Sequence, residues 1–206
     1  MTLALWFLAS YLLGSIPTSY LVVRLVKGQD LRTMGSGNLG ATNLYRVLGV
    51  KYALPVALFD AGKGAIPVLL FGPRAGGGEL VALLLGITAV LGHMFSVFVG
   101  FRGGKGVATG AGVVLGLAPW AVLAGLAVWL LAVLSTGYVS LASILAAIML
   151  PLAVFWLHPE RRQLIWLFAL LSVAVIVLHR ANISRLLAGT EHRFGRRRDA
   201  ESDSAG

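Results

Sequence analysis

The chain has 206 residues, 58% of them hydrophobic and 12% charged, with a mean hydropathy of +0.86; that composition excludes a soluble globular domain and suits one compact membrane domain. The formal net charge is +9 and there is no cysteine, so disulfides, thiol nucleophiles and thiolate metal sites are excluded. A positive balance on a membrane protein serves anionic headgroups and anionic substrates, and nucleic acid is not an expected partner because no soluble basic domain exists to hold it.

A helix needs about 20 apolar residues to cross about 30 Å of hydrocarbon. In chain order the apolar runs predict an all-α, polytopic protein with seven spans, near residues 3–26, 52–71, 80–99, 107–118, 120–134, 139–157 and 164–178. The first run lacks the basic start and the small-residue cleavage site of a signal peptide, so it is expected to be retained. Ser15 and Pro17 interrupt it, which predicts a kink. The fourth and fifth runs are short, with Pro119 between them and Gly110, Gly112 and Gly116 giving the fourth a small face. A re-entrant hairpin there would remove both spans together and leave the orientation unchanged.

Lysine and arginine set that orientation. With the amino terminus outside, the cytoplasmic segments carry Arg24, Lys27, Arg32, Arg46, Lys51, Arg102, Lys105, Arg180, Arg185, Arg193, Arg196, Arg197 and Arg198, and the outside only Arg74, Arg161 and Arg162. Residues 1–195 read as one integral membrane domain, and 196–206 as a basic-then-acidic flexible cytoplasmic tail. The five tryptophans fall towards span ends or within spans and read as interface anchors and packing residues. No internal repeat of the kind common in transporters is visible.

Three polar islands interrupt the apolar chain, all on the cytoplasmic side. The first is Gly35-Ser36-Gly37-Asn38-Leu39-Gly40-Ala41-Thr42-Asn43, followed by Arg46. Its residue types suit helix capping and a loop. Equally, Ser36 can be a nucleophile or a positioning donor, and Asn43 and Arg46, three apart, share a face of a short helix. Within the second span Asp60 and Lys63 stand one turn apart, and such costly charges are expected to pair structurally. The second island, Phe101-Arg102-Gly103-Gly104-Lys105-Gly106-Val107-Ala108-Thr109-Gly110, follows the third span, at whose cytoplasmic end sits His93. Successive glycines let backbone N–H groups converge on an anion, the positive end of the next helix points the same way, and Lys105 and Arg102 add charge. This is phosphate-binding logic without the spacing of a Walker A loop; a flexible, basic cytoplasmic turn is the simpler reading. The third island begins at His179, where His179, Asn182 and Arg185 line one helix face at intervals of three. His179 can serve as a base, a phosphate ligand or an interfacial anchor. Glu191, the sole acid near this end, reads as a structural partner of a basic residue.

Taken together, Gly35 to Asn43 with Arg46, then Gly92-His93-Met94-Phe95-Ser96 with Phe101 to Thr109, then His179 to Leu187 with Gly189 and Glu191, give a specific pattern. The chain resembles the bacterial acyl-phosphate-dependent glycerol-3-phosphate acyltransferases, small polytopic enzymes that begin phospholipid synthesis. The resemblance runs from about residue 3 to residue 195, and its one small departure is Arg102, where the family often has lysine. It implies a seven-span fold in the bacterial cytoplasmic (inner) membrane with a cytoplasmic active site. It also implies acyl transfer from acyl phosphate to the 1-hydroxyl of glycerol-3-phosphate, giving 1-acyl-glycerol-3-phosphate (lysophosphatidic acid) and phosphate. By the resemblance Ser36 and Arg46 belong to the catalytic centre, Lys105 and the Gly103 to Gly106 loop bind phosphate, His179 and Asn182 contribute to activity, and Glu191 maintains structure. A soluble enzyme that makes acyl phosphate is a further partner that the family suggests.

The residue types suit this chemistry. Two phosphate-bearing substrates need two anion sites, and Arg46, Lys105, Arg102 and Arg185, with the Asn43 amide, can furnish them. An acyl phosphate is already activated, so the enzyme has mainly to position the hydroxyl and stabilise developing charge. None of the four histidines is followed five residues later by aspartate, which argues against the histidine–aspartate chemistry of the soluble-type acyltransferases. No carboxylate cluster calls for a metal, and no cofactor is expected. The absence of a base–acid relay beside Ser36 predicts direct transfer without an acyl-enzyme. The competing expectation is a small channel or transporter for a phosphate-bearing anion, which would spread polar residues through mid-membrane and over both faces.

Overall fold

The computed structural model describes residues 2–194, and they contain helices and no strands. Arg196, Arg197, Arg198 and the expected tail lie outside the described residues. Helices α1 (Leu3–Ser15) and α2 (Thr18–Lys27) form one apolar segment broken at Ile16 and Pro17. Proline has no N–H to continue the ladder, so the predicted kink follows. Helix α3 (Ala41–Leu48) is short and is followed at once by α4 (Val50–Ile66). The latter runs on through a π-helical stretch, Pro67–Phe71, into the single turn α5 (Gly72–Ala75). Then come α6 (Gly78–Met94), α7 (Val107–Leu117) and α8 (Pro119–Thr136), the last opened by proline in its first turn and closed by Gly137 in the left-handed conformation. Helices α9 (Val139–Leu157), α10 (Arg162–Leu178) and α11 (Arg180–Leu187) complete the set.

Helices occupy all seven predicted positions. Five segments among the described residues are long and apolar enough to cross a membrane: Leu3–Lys27, Val50–Ala75, Gly78–Val99, Pro119–Thr136 and Val139–Leu157. A sixth appears if α10 and α11, which meet at a bend of 58°, count as one. Helix α7 has 11 residues; at 1.5 Å per residue it reaches about 16 Å, roughly half the hydrocarbon thickness. Leu131, Leu134, Trp156, Trp166 and Leu170 lie well exposed on the outer surface, as expected where lipid is the solvent and hydrocarbon is no worse for leucine than a protein core. The chain is a multi-pass membrane protein.

Packing is closest where side chains are smallest. Gly64 on α4 lies against the Thr109 carbonyl on α7, and Gly112 on α7 lies against the Ala61 carbonyl on α4. A methyl group at either would overlap backbone, so the two helices meet main chain to main chain. Gly14 and Gly92 do the same between α1 and α6, against Ala89 and Tyr11. These contacts fix α4, α6 and α7 around the polar end of the molecule. A core of Leu83, Val90, Val113, Val114, Val154, Leu164 and Phe168 fills the space behind. A second cluster, with Val23, Leu31, Leu39, Leu44 and Val56, packs under the first island.

Candidate active site

The islands converge on one cavity of about 570 Å³, a size ordinary for a small-molecule pocket. Its polar end holds Ser36, Asn38, Arg46, Lys105, His179 and Asn182. From there it runs between helices past Leu58, Leu126, Leu150 and Leu171, a mostly apolar wall that also carries Ser140, Ser143 and Ser172.

The first island is tied together by an amide. Asn43 is 1% exposed; its Oδ1 accepts from the Ser36 N–H at 2.8 Å, and its Nδ2 donates to the Met34 carbonyl at 3.0 Å. That holds the Ser36 backbone against the start of α3 while the Ser36 side chain stays exposed. Arg46 reaches the cavity from the next turn of α3. Asn43 was expected to bind phosphate; instead the loop itself consumes both ends of its amide.

The second island also departs from expectation. The Gly103 N–H donates to the Met94 carbonyl at 3.0 Å and the Gly104 N–H to the His93 carbonyl at 3.0 Å. Those donors are engaged by protein, so they do not converge on an anion. A side chain at Gly103 would strike the His93 carbonyl and one at Gly104 the His93 ring; the glycines permit close packing on α6. Arg102 is exposed and outside the cavity lining. Lys105 and Gly106 do line it, at the start of α7, whose N-terminus carries the positive end of the helix dipole.

The third island carries a linked network. Lys105 Nζ donates to Asn182 Oδ1. Asn182 Nδ2 donates to Glu191 Oε1 at 2.8 Å, Ser140 Oγ to the same oxygen at 3.2 Å, and Arg185 Nε to Oε2 at 2.7 Å. Lysine can only donate and a carboxylate only accept, which fixes the Asn182 amide orientation. Arg185 thus spends its guanidinium on Glu191 and stands outside the cavity lining. Burial works to raise the Glu191 carboxyl, and the Asn182 and Arg185 contacts outweigh it, leaving it below the usual range. Burial pushes the Lys105 ammonium down to about 8; Glu191 opposes that shift, and Arg185 and Arg46 add to it. His179 is 3% exposed. Its Nδ1 lies 2.8 Å from the Val175 carbonyl, which can only accept. Nδ1 therefore carries the hydrogen, and the Nε2 lone pair is left for chemistry.

Below these residues Asp60 and Lys63 form an ion pair of 2.7 Å, with side chains 3% and 1% exposed. Asp60 and His93 also reach the cavity wall. Sequence reasoning missed Ser140 and Ser143, which line the cavity from α9, the latter accepting from Trp129 Nε1 at 3.3 Å. The available signal was two serines three apart at the start of an apolar run, hence on one face.

The family model described as glycerol-3-phosphate acyltransferase matches residues 4–189. A glycerol-3-phosphate acyltransferase of Trichlorobacter lovleyi is 49% identical over 92% of this chain and 96% of the relative. That of Geobacter sulfurreducens is 46% identical over 90% and 94%. Among solved structures, PlsY, an integral membrane glycerol 3-phosphate acyltransferase, in its glycerol 3-phosphate form superposes with a TM-score of 0.88 at 44% identity, covering 94% of this chain and 96% of that one. Its lysophosphatidic acid form gives 0.84 at 42% identity, covering 94% and 95%.

Proposed function

The chain belongs to the glycerol-3-phosphate acyltransferase family and is an acyltransferase of phospholipid synthesis; from that premise we propose that its donor is an acyl phosphate and its acceptor the 1-hydroxyl of glycerol-3-phosphate. The observation that carries this reading is the division of the one cavity, cationic and hydroxyl-bearing at one end and mostly apolar along the rest. An acyl phosphate has that polarity: the chain takes the apolar part and the phosphate lies among Arg46, Lys105 and the start of α7. The related PlsY structures in glycerol 3-phosphate and lysophosphatidic acid forms support the acceptor and product.

In the step we propose, the glycerol hydroxyl oxygen bonds to the acyl carbon and the bond from that carbon to the phosphate oxygen breaks. Inorganic phosphate leaves with the electron pair, and 1-acyl-glycerol-3-phosphate remains. The hydroxyl proton passes to a substrate phosphate oxygen or to Nε2 of His179. Ser36 acts as a positioning donor, Asn182 holds Lys105 at the cavity mouth, and Lys105 with Arg46 offsets the charge on the leaving phosphate. Because Asn43, Gly103, Gly104, Arg102 and Arg185 are engaged elsewhere or stand outside the cavity, the phosphate roles expected of them fall to Arg46, Lys105 and Gly106. No acyl-enzyme forms, since the hydrogen bonds among the described residues link Ser36 to Asn43 and to no base–acid relay. We further propose seven crossings with α7 as the short one, the amino terminus outside, the site on the cytoplasmic side of the bacterial inner membrane, and donor delivery by a soluble acyl-phosphate-forming enzyme.

The test is release of inorganic phosphate from palmitoyl phosphate by purified protein without metal. Release that requires glycerol-3-phosphate, with lysophosphatidate appearing in step, is expected. Acylated Ser36 after mixing with donor alone overturns direct transfer. Absence of release with every chain length, together with phosphate flux in liposomes, replaces this reading with the transporter.

A further inference from the structure

A buried polar cluster lies outside the reacting groups, between the first two islands. Lys63 Nζ contacts Asp60 Oδ1 at 2.7 Å, the Ile16 carbonyl at 2.9 Å and His93 Nδ1 at 3.3 Å. Thr18 Oγ1 donates to Asp60 Oδ1 at 3.3 Å. The cluster therefore joins α4, α6 and the break between α1 and α2. An ammonium only donates, so Nδ1 of His93 accepts and Nε2 carries the hydrogen. On its other side His93 meets the second island twice: its carbonyl accepts the Gly104 N–H, and its ring edge lies against the Gly104 α-carbon, where a methyl group would overlap Nε2. The next residue is Lys105.

We propose that His93, held by the Asp60–Lys63 pair, is a positioning residue that sets where the Gly103–Gly104 segment, and with it Lys105, stands in the cavity. A charge pair in a span is costly to desolvate, and a hydrophobic replacement packs as well or better. The pair is placed where it can do more than pack: Lys63 reaches the Ile16 carbonyl at the Pro17 break, which also accepts from the Thr18 N–H at 3.0 Å, and, in the same grip, the ring that gauges the glycine segment. Leu39 of the first island lines the same small gap as Ile16, Thr18, His93, Gly103 and Gly104, so the two islands meet at this cluster. The cluster thus fixes the spacing between the Ser36 loop and the Lys105 loop. A misplacement on the order of 1 Å in such a spacing costs up to about a hundredfold in rate.

This inference rests on the proposed acyl transfer. The test compares His93→Leu, His93→Asn and His93→Gln in that assay, with thermal unfolding recorded for each. Leucine keeps the bulk and loses the acceptor. Asparagine places its Oδ1 where Nδ1 stands, facing Lys63. Glutamine carries its amide one atom further, at the level of Nε2. The expected result is a folded His93→Leu whose kcat/KM falls ten- to hundredfold, with inorganic phosphate weakened as a product inhibitor. His93→Asn should recover to within about threefold of the wild type, and His93→Gln should not. If His93→Leu fails to fold, the asparagine–glutamine contrast decides alone. Equal activity of those two, or a folded His93→Leu with unchanged KM, kcat and phosphate inhibition, overturns the inference. An inactive wild type overturns the proposed function and this inference together, whereas an active wild type indifferent to His93 overturns only the inference.

Discussion

Raising the pH should disarm this enzyme by removing one proton, that on Lys105. Burial brings its ammonium down to about 8 from an ordinary value of 10.5; Glu191 opposes the shift, while Arg185 and Arg46 enhance it. About nine-tenths of the free protein then carries the charge at pH 7, about half at pH 8 and about one-tenth at pH 9. Because kcat/KM reports the free enzyme, it should fall about tenfold between pH 7 and pH 9 and about ninefold more by pH 10. The other groups do not imitate this limb: phosphate monoesters complete their second ionisation near pH 6, and arginine stays charged throughout. Asn182, the other neighbour of Nζ, does not titrate. The assay is initial-rate phosphate release from pH 6.5 to 10, corrected for uncatalysed hydrolysis, on wild type and Lys105→Arg. The arginine variant should lose some activity at pH 7 because its fork is a different shape, yet its profile should stay level past pH 9. A wild-type profile flat to pH 10, or the same alkaline fall in Lys105→Arg, refutes the reasoning.

Other changes separate binding, stability and specificity. Glu191→Gln withdraws the carboxylate that accepts from Asn182, Arg185 and Ser140; it should cost about 3 kcal/mol and lower Tm by roughly 6–12 °C, read by thermal unfolding in detergent. Ser36→Ala should reduce kcat about a hundredfold, the scale for removing one aligned donor, with the KM for each substrate within a few-fold. Gly125, on the cavity wall, lies about 16 Å along α8 from its Thr136 end. Its added Cβ would press on the flexible Leu150 side chain at 3.0 Å and make ordinary contact with the Ala146 carbonyl at 3.8 Å. Gly125→Leu should therefore shorten the apolar space, and kcat/KM for palmitoyl phosphate should fall relative to lauroyl phosphate.

The islands were legible because polarity is expensive in hydrocarbon, so a run such as Gly35 to Asn43 stands out against its surroundings. Helix positions were legible for the same reason: all seven predicted runs are helical, though only five of the described segments, or six with the bent α10–α11 pair, are long and apolar enough to cross. What each donor does was less legible, because backbone partners leave no trace in composition. Nothing in Gly103-Gly104 says that their N–H groups turn back to α6, and Asn43 looks the same in a sequence whether its amide meets phosphate or the Met34 carbonyl. Ser140 was hidden because a single hydroxyl near a span end satisfies itself in most helices; here it finds Glu191, 51 residues away. The Asp60–Lys63 spacing announced a pair, but the third member, His93, could be added only by the packing of α4 against α6.

The position of Glu191 in the chain has a consequence for synthesis. Asn182 and Arg185 lean on this residue, and just beyond it Phe194 stacks on Tyr45 and donates its N–H to the Gly137 carbonyl at 2.7 Å. The apolar helices described above all precede these contacts in the chain. A nascent chain that stops short of residue 191 can therefore have these helices inserted and still leave Asn182 and Arg185 unclasped. On the proposed assignment of the site, competence waits for residues 191 to 194, so a copy truncated before them sits in the bilayer as an inert bundle.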